Sequence, residues 1–249
     1  TEDTEKEFLI SSNICHPSMA NNELTGPIIS SFLYSALAKL KVRTYNYRFV
    51  FLPETIGAIA YLHKYGREMT RNCVGGLVVT CCGDEHAVNF KKSRQGNSLI
   101  DKIASNAVTY SGLKNPTIRD YFPTGSDERQ YCSPGFNLPV GSITRSLYGE
   151  YKEYHTSLDN KDFISFNAFR QTIHLYMKVL IAFQNNLRYI RPNPFCEPML
   201  SSYKLYPDIN SNSPLNNDSR TYLYLLSYCD GKHDLIDIAD KLEISVFDL

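Results

Sequence analysis

The sequence predicts an α/β fold in which helices cover both faces of a mostly parallel sheet, followed by a small helical unit. Three observations lead to this prediction. Short β-rich runs alternate with longer segments of helical periodicity over roughly the first 190 residues, and those β-rich runs are apolar almost throughout. After Asn186 the chain becomes rich in proline and polar residues. Such alternation is typical of a three-layer α/β domain.

Four runs have the near-continuous apolar character of strands that are buried on both faces. They are FLISSNIC (8–15), YRFVFL (47–52), GGLVVTCC (75–82) and LPVGSITR (138–145). Four other segments carry apolar residues at helical spacing, at 23–42, 55–66, 96–110 and 166–186. Ligands of such folds bind in loops beyond the carboxyl ends of the strands, so polar residues that follow strands are the candidates for a functional site.

The first domain is expected to cover residues 1–192 and the second residues 193–249. The prolines of RYIRPNPFCEP and the polar run DINSNSPLNNDS predict a linker between them. Two helices joined by a turn at Asp230-Gly231 then predict a helix-turn-helix or winged-helix unit. A strand begins almost at residue 1, and the final ISVFDL resembles the opening of a helix. We therefore expect a fragment that lacks preceding strands and a following helix.

The chain has 249 residues with 26 basic and 26 acidic side chains, so its formal net charge is zero. This balance gives no electrostatic basis for binding nucleic acid or an anionic membrane surface. Residues 193–249 hold nine acidic and four basic side chains, which opposes phosphate binding by the helix-turn-helix unit. We expect that unit to contact a protein partner or a second copy of the chain, and not nucleic acid.

The expected location is the cytoplasm, with no membrane partner. No apolar run approaches the roughly 18 residues that span a bilayer. The acidic start TEDTEKEF is unlike a signal or transit peptide. The seven cysteines are an odd number and form no C-x-x-C pair, which favours a reducing compartment.

The first predicted strand leads to His16, and Asn22 and Glu23 follow at the start of the next helix. Imidazole and carboxylate are zinc ligands, so His16 and Glu23 are candidate metal ligands. The alternative is that Asn22 and Glu23 cap the helix and favour its dipole. Cys15 suggests a cysteine nucleophile, but adjacent strand residues point to opposite faces, so we expect no direct contact between Cys15 and His16.

The second and third predicted strands also lead to acidic residues. Glu54 lies between an apolar strand and an apolar helix, where partial loss of hydration suits a general base. The alternative for Glu54 is a carboxylate that favours the helix N-terminus. Asp84 follows the third strand in GDEH, where it is either a metal ligand or part of a polar turn leading into a hairpin.

Two later loops supply further candidates. In GSDERQYCSPG, Arg129 can hold a substrate carboxylate with two hydrogen bonds, and Asp127 can orient a histidine or bind an amine. Mixed-sign surface pairing is the alternative for both. In YGEYKEYHTSLDN, His155 is a candidate metal ligand with Asp159 as its supporting carboxylate, and Tyr154 is a candidate substrate contact.

We expect these side chains to converge, because His16, Glu54, Asp84, Asp127 and His155 all follow predicted strands. The sequence contains no G-x-S-x-G, G-x-x-x-x-G-K-[ST], H-E-x-x-H or G-x-G-x-x-G motif. Serine-hydrolase, P-loop, zincin and dinucleotide-binding mechanisms therefore lack their residues.

Four motifs, CHPSMANNELTGP, FVFLPETIGAIAYL, GSDERQYCSPG and YGEYKEYHTSLDN, resemble those of a bacterial family of aminopeptidase-like proteins. The similarity extends over nearly all of residues 8–249. The family is classed as a domain of unknown function, is often encoded near polysaccharide biosynthesis genes, and is similar to zinc-dependent exopeptidases of the leucyl aminopeptidase type. The resemblance implies a zinc-exopeptidase-like α/β core of the phosphorylase/hydrolase type, an inserted smaller domain and a C-terminal winged helix.

The resemblance also implies roles for single residues. His16 and His155 match the first and last metal histidines, and Glu54 matches the general base. Asn22, in the segment NNELTG, stands where zinc aminopeptidases carry the aspartate that bridges two metals.

Two further metal-ligand positions are neutral here, since Thr55 replaces a glutamate and Thr80 an aspartate. A two-metal site depends on such anionic oxygens to bridge and neutralise its ions. The resemblance therefore favours a single Zn²⁺ held by His16 and His155, with Glu23 or Asp84 as an oxygen ligand.

Two functions follow from this sequence. The leading hypothesis is a metal-dependent hydrolase of a peptide or other amide-containing small substrate, with Glu54 as the base. Substrate contacts are expected from Asn22, Asp127, Arg129 and Tyr154. The alternative is a non-catalytic binding protein that keeps the exopeptidase pocket but has lost the metal chemistry.

Overall fold

The computed structural model describes residues 5–206 and 217–249. The chain divides into two units, the first ending at Gln184 and the second beginning at Asn185. No helix within the described ranges is long and apolar enough to cross a membrane.

A six-stranded sheet forms the centre of the first unit. Its strands are β1 (Glu7–Asn13), β2 (Asn46–Leu52), β3 (Cys73–Val79), β4 (Asn89–Lys91), β5 (Thr117–Arg119) and β6 (Val140–Thr144). The strand order is β2-β1-β3-β6-β4-β5. β1 pairs in parallel with β2 and β3, and β3 pairs in parallel with β6. β4 is antiparallel to β6 and parallel to β5, so the sheet is mostly parallel, as predicted.

Five α-helices accompany the sheet in this unit. They are α1 (Thr25–Ala38), α2 (Ile56–Asn72), α3 (Leu99–Thr109), α4 (Glu128–Tyr131) and α5 (Phe166–Asn185). A π-helical turn, Ala20–Leu24, leads directly into α1. Helices of these bounds agree with the apolar periodicity of the sequence, except that α4 is a single short turn.

The strands are apolar almost throughout because both faces of the sheet are covered. Leu9 of β1 belongs to a buried cluster that includes Leu62 of α2 and Tyr131 of α4. On the other face of β1, the ring of Phe8 meets that of Phe183 of α5 edge-on, with centroids 4.9 Å apart. The central strands therefore form the middle layer of the first unit.

Gly26 lets α1 approach the ends of β1 and β3. A Cβ atom at this position would overlap the Ser12 hydroxyl and the Val79 carbonyl oxygen. The close approach brings the π-helical turn before α1 next to the residues that follow β1.

The sequence did not predict β4 and β5, each of which has three residues. The apolar runs also overestimated two strands, since β1 ends at Asn13 rather than at Cys15 and β3 ends at Val79 rather than at Cys82. The polar and cysteine residues that follow Asn13 and Val79 are therefore loop residues.

The second unit contains β7 (Arg188–Ile190), a 3₁₀ turn (Leu200–Tyr203), α6 (Asn217–Tyr228), β8 (Asp230–Asp234) and α7 (Leu235–Leu242). β7 and β8 form an antiparallel pair, which places Arg188–Ile190 in this unit although the expected boundary lay after residue 192. The Asp234 carboxylate accepts a hydrogen bond from Asp237 N–H, 3.1 Å away, and begins α7 with a capping box.

Two expectations for this unit need correction. A strand, β8, separates α6 from α7 where a simple turn was predicted at Asp230-Gly231. The segment ISVFDL forms a turn instead of opening a helix, with Asp248 N–H donating to the Ser245 carbonyl oxygen at 2.9 Å. Most of the polar run DINSNSPLNNDS, which was predicted as a linker, lies outside the described residues.

Candidate functional site

The parallel register of three strands brings their carboxyl ends together. Asn13 of β1 lies opposite Leu52 of β2, and Ser12 lies opposite Val79 of β3. Ile14 N–H donates to the Leu52 carbonyl oxygen at 3.0 Å, so β1 and β2 stay paired up to the point where both chains leave the sheet. His16 and Glu54 follow these ends and therefore meet at one edge, as the sequence predicted for this fold.

The Glu23 carboxylate connects the π-helical turn to the segment after β1. Its Oε1 accepts a hydrogen bond from Cys15 N–H at 2.9 Å, and its Oε2 lies 3.1 Å from His16 Nδ1. The side chain is only 6% exposed, so this carboxylate is shielded from solvent. The Glu23 carboxylate therefore orients the His16 imidazole, and neither the π-helical turn nor α1 has a side-chain cap.

His16 faces the predicted general base and the second predicted histidine. Its Nε2 lies 4.0 Å from Glu54 Oε2. The rings of His16 and His155 have centroids 5.0 Å apart and an interplanar angle of 31°. Three residues that are distant in sequence, His16, Glu54 and His155, therefore lie side by side.

One oxygen of Glu54 is held in place and the other faces His16. Glu54 Oε1 accepts hydrogen bonds from Ser126 Oγ at 2.7 Å and from Asn13 Nδ2 at 3.3 Å. Asn13 Nδ2 also donates to Ser126 Oγ at 2.8 Å. Neither Asn13 nor Ser126 was singled out in the sequence, although Asn13 ends a strand and Ser126 belongs to the GSDER motif.

Thr55 adopts an uncommon backbone conformation immediately after Glu54. Its φ is 64°, in the left-handed region that a β-branched residue rarely occupies. Thr55 N–H donates to Asp127 Oδ1 at 2.7 Å, and an Arg129 NH2 group donates to Thr55 Oγ1 at the same distance. Asp127 and Arg129 therefore stabilise the turn that presents Glu54. Their predicted contact with substrate stays a prediction.

Asp127 is a fully buried acid with an unsatisfied oxygen. Burial raises the pKa of Asp127 to about 7, opposed by the hydrogen bond from Thr55 N–H and reinforced by the Glu54 and Glu128 charges. Within the described part of the chain, Asp127 Oδ2 and Arg129 Nε are both buried without a hydrogen-bond partner.

The loop that carries Asp127 also contains one partner of a buried ion pair, Glu128, which pairs with Lys91. Lys91 Nζ lies 2.8 Å from Glu128 Oε1, with both side chains almost fully buried. Removing one partner of such a pair leaves an uncompensated buried charge.

Asp84 and Asp159 have contacts that differ from those expected of a metal ligand and its supporting carboxylate. Asp84 is buried, where it accepts a hydrogen bond from Asn21 Nδ2 and lies 2.8 Å from His86 Nδ1. Asp159 accepts from the backbone N–H groups of Asn21 and Asn22, at 2.6 and 3.0 Å. Because those N–H groups belong to the first helical turn, Asp159 stabilises that turn and not the His155 imidazole.

Asn22 and Thr80 belong to the scaffold between these elements. Thr80 Oγ1 donates to the Asn22 carbonyl oxygen at 2.8 Å, and both residues are buried.

Tyr154 stacks on His155, with ring centroids 3.9 Å apart and an interplanar angle of 13°. Burial raises the pKa of Tyr154 to about 12, so its hydroxyl remains a hydrogen-bond donor at neutral pH.

Cys15 lies in the site, against expectation. Its Sγ is 3.2 Å from His16 Nδ1 and 3.7 Å from Glu23 Oε1. The expectation of no contact was wrong because β1 ends at Asn13, so strand alternation does not apply at Cys15. Burial raises the pKa of the Cys15 thiol, and the charges of Glu23 and Glu54 act in the same direction. These effects disfavour a free thiolate and hence a cysteine nucleophile.

Among the residues that the structure describes, one group of three metal-ligating side chains has its ligand atoms within 4.8 Å of one another. It consists of Cys15, His16 and Glu23. His155 and Asp84 lie outside this group.

The fold of the first unit is that of an aminopeptidase-like α/β domain. BSAP, a zinc aminopeptidase from Bacillus subtilis, has a similar structure with a TM-score of 0.59 over 73% of this chain and 47% of that protein. The two chains are 13% identical, so this likeness concerns the fold alone. It confirms the predicted mostly parallel, zinc-exopeptidase-like architecture.

The chain belongs to the family described as a domain of unknown function, DUF4910, whose model matches residues 1–186. A winged helix-turn-helix model matches residues 188–249, which confirms the predicted C-terminal winged helix.

Two similar proteins come from Clostridium acetobutylicum. One, named provisionally as a polysaccharide biosynthesis protein with an aminopeptidase-like domain, is 41% identical over 95% of this chain and 54% of its own length. A crystal structure of a protein named provisionally as a peptidase matches with 38% identity and a TM-score of 0.87, over 98% of this chain and 55% of that one. The chain thus spans about half the length of the relatives it matches.

The stability of Asp127→Asn relative to wild type is expected to increase as the pH rises. In wild type the unfolded chain loses this proton near pH 3.8 and the folded chain only near pH 7, so ionisation costs stability across that window. The amide of the variant has no such proton and keeps an oxygen for Thr55 N–H. The free energy of unfolding of the variant relative to wild type should rise by up to roughly 4 kcal/mol between pH 4 and pH 8, measured by urea denaturation.

Asp120→Asn is the matched control, since this carboxylate is 89% exposed. The difference in free energy of unfolding between Asp120→Asn and wild type should be the same at pH 4 and at pH 8. A constant difference for Asp127→Asn as well would contradict the raised pKa.

Proposed function

We propose that this chain carries the catalytic domain of a metal-dependent hydrolase that cleaves a peptide or other amide bond. The observation that supports this most is the 4.0 Å distance between His16 Nε2 and Glu54 Oε2, beside the His155 ring. Two imidazoles and a carboxylate at the carboxyl ends of parallel strands combine metal ligands with a general base.

The residues present suit one zinc ion. His16, His155 and Glu23 offer two imidazoles and a carboxylate, the ligand types found at catalytic zinc sites. Glu23 lies in the group of metal-ligating side chains that contains His16, and Asp84 lies outside it, so Glu23 is the better oxygen ligand of the two that the sequence suggested. When bound, zinc polarises the substrate carbonyl and makes a water nucleophilic at neutral pH.

Glu54 is the residue that moves protons in the proposed reaction. Its Oε1 is occupied by Ser126 and Asn13, which leaves Oε2 on the side of His16 to accept a proton from the attacking water. Glu54 then returns the proton to the leaving amine as the C–N bond breaks. The Asp127 and Arg129 contacts to Thr55 keep the Glu54 peptide in place during both transfers.

The proposed substrate is a peptide or an amide-containing small molecule that contacts Tyr154 and Asn22. Arg129 and Asp127 are candidates for binding a carboxylate and an amine of that substrate. The relative from Clostridium acetobutylicum carries a name in polysaccharide biosynthesis, which supports an amide on a sugar derivative as one such substrate.

For the second unit we propose contact with a protein or with a second copy of the chain, and no nucleic acid. Residues 193–249 carry nine acidic and four basic side chains, a balance that repels phosphate. We also propose a cytoplasmic location, supported by seven cysteines that are all free.

A second candidate function, a binding protein without catalysis, is favoured by the neutral residues of the site. Thr80 Oγ1 donates to the backbone carbonyl oxygen of Asn22, and Thr55 bonds to Asp127 and Arg129. The neutral side chains of Asn22, Thr55 and Thr80 do not supply the anionic oxygens that bridge and neutralise a second ion.

Glu54→Gln is expected to reduce hydrolysis by at least about a hundredfold, because the amide cannot accept the proton of the water. A panel of aminoacyl p-nitroanilides, read by absorbance, measures the rate on the full chain. Glu150→Gln is the matched control, because this carboxylate is 53% exposed and pairs with Arg119 at 3.0 Å. Circular dichroism and zinc content should be unchanged in both variants. Wild-type rates for Glu54→Gln would exclude Glu54 as the base.

Elemental analysis separates the two candidate functions. The full chain, purified without chelators and without a histidine tag, is expected to contain one zinc ion per molecule. A chain that binds no zinc even after dialysis against zinc would support the binding protein, and two ions would contradict a single-metal site.

A further inference from the structure

We propose that Cys15 is a direct ligand of the zinc ion, together with His16 and Glu23. This inference rests on the proposed function in that it assumes a zinc ion beside Glu54. The assignment itself comes from the contacts of Cys15, a residue that the resemblance to aminopeptidases leaves without a role.

The ligand groups of Cys15, His16 and Glu23 have separations close to those of ligands around one small ion, with a different Glu23 oxygen facing each of the other two groups. Cys15 Sγ lies 3.2 Å from His16 Nδ1 and 3.7 Å from Glu23 Oε1, and His16 Nδ1 lies 3.1 Å from Glu23 Oε2. Tetrahedral bonds of about 2.0 Å to nitrogen and oxygen and 2.3 Å to sulfur place ligand atoms about 3.3 to 3.6 Å apart. Small shifts of three side chains would therefore accommodate the ion.

The sulfur of Cys15 is also arranged as an acceptor. Glu54 N–H donates to Cys15 Sγ at 3.1 Å. Hydrogen bonds of this kind stabilise the negative charge of a metal-bound thiolate. The same contact places the ion next to the peptide of the proposed base, so metal binding and the position of Glu54 are coupled.

Charge and burial favour a cation at this place. The Glu23 and Glu54 side chains are 6% and 23% exposed, and no Lys or Arg side chain of the described residues forms an ion pair with either. A divalent ion that binds one thiolate and one carboxylate would balance this negative charge. With Cys15 in place of His155 as the third protein ligand, one coordination position stays open, which is the feature that separates catalytic from structural zinc sites.

X-ray absorption at the zinc edge tests the assignment on the full chain loaded with one equivalent of zinc. One sulfur at about 2.3 Å, with nitrogen and oxygen ligands at about 2.0 to 2.1 Å, is the expected result. In Cys15→Ser the sulfur signal should disappear, and the affinity for zinc should fall by at least about a hundredfold. Even substitutions of residues that only hydrogen-bond to a metal ligand cost about 10- to 100-fold. Cys196→Ser, at an exposed cysteine, is the matched control and should keep the sulfur signal.

Alkylation of the wild-type chain tests the same claim without a variant that could misfold. Zinc is expected to slow the reaction of Cys15 with iodoacetamide by at least about tenfold, because a metal-bound thiolate is shielded. Cys196 provides the internal reference, and mass spectrometry reads both sites. A zinc spectrum with nitrogen and oxygen ligands only, or equal alkylation of Cys15 with and without zinc, would overturn the inference.

The failure of this inference is distinguishable from the failure of the proposed function. If hydrolysis depends on Glu54 but the zinc has no sulfur ligand, the proposed hydrolase function stands and the proposed role of Cys15 is wrong. If the zinc has a sulfur ligand but Glu54→Gln leaves hydrolysis unaffected, the proposed role of Cys15 stands and Glu54 is not the base.

Discussion

The contacts of the Glu23 carboxylate hold the candidate site together. This side chain joins the turn before α1 to the loop after β1, through Cys15 N–H and His16 Nδ1. Glu23 can reach both groups because Gly26 allows α1 to lie against the ends of β1 and β3. A larger residue at position 26 would move the helix, and with it the carboxylate that orients His16.

A second constraint acts on Glu54, the proposed general base. Thr55 is held in a left-handed conformation by Asp127 and Arg129, which lie more than seventy residues further along the chain. Such conformations persist only where the surrounding structure determines them, and they are common at functional sites. The energetic cost of this arrangement is the burial of the Asp127 carboxyl group, which raises its pKa to about 7. Asp127 in turn helps to hold the turn that presents the Glu54 carboxylate.

Much of this arrangement could be predicted from the sequence. The four long apolar runs identified the strands β1, β2, β3 and β6, and the rule that sites lie beyond strand ends selected His16 and Glu54. Asp127 was selected from the charged loop GSDERQYCSPG and follows none of these four strands directly. Three-residue strands such as β4 and β5 show no periodicity, so they could not be found. Cys15 was misjudged because nothing in FLISSNIC shows that the strand ends at Asn13.

The sequence predicted where Asp84 and Asp159 lie along the chain better than it predicted their hydrogen-bond partners. Asp84 and Asp159 follow a strand and a histidine as a metal-binding acid would, but both bind groups of the helical turn that contains Asn21. That contact spans more than sixty residues in one case and more than a hundred in the other. Sequence spacing alone carries no information about such pairs.

The central claim is that a single metal ion binds at the end of β1, next to Glu54. Anomalous diffraction at the zinc absorption edge, from crystals of this chain grown with zinc, tests it most directly. The account predicts one peak within bonding distance of Cys15, His16 and Glu23. Two peaks at this edge of the sheet, a peak away from these residues, or no peak in zinc-saturated crystals would contradict it.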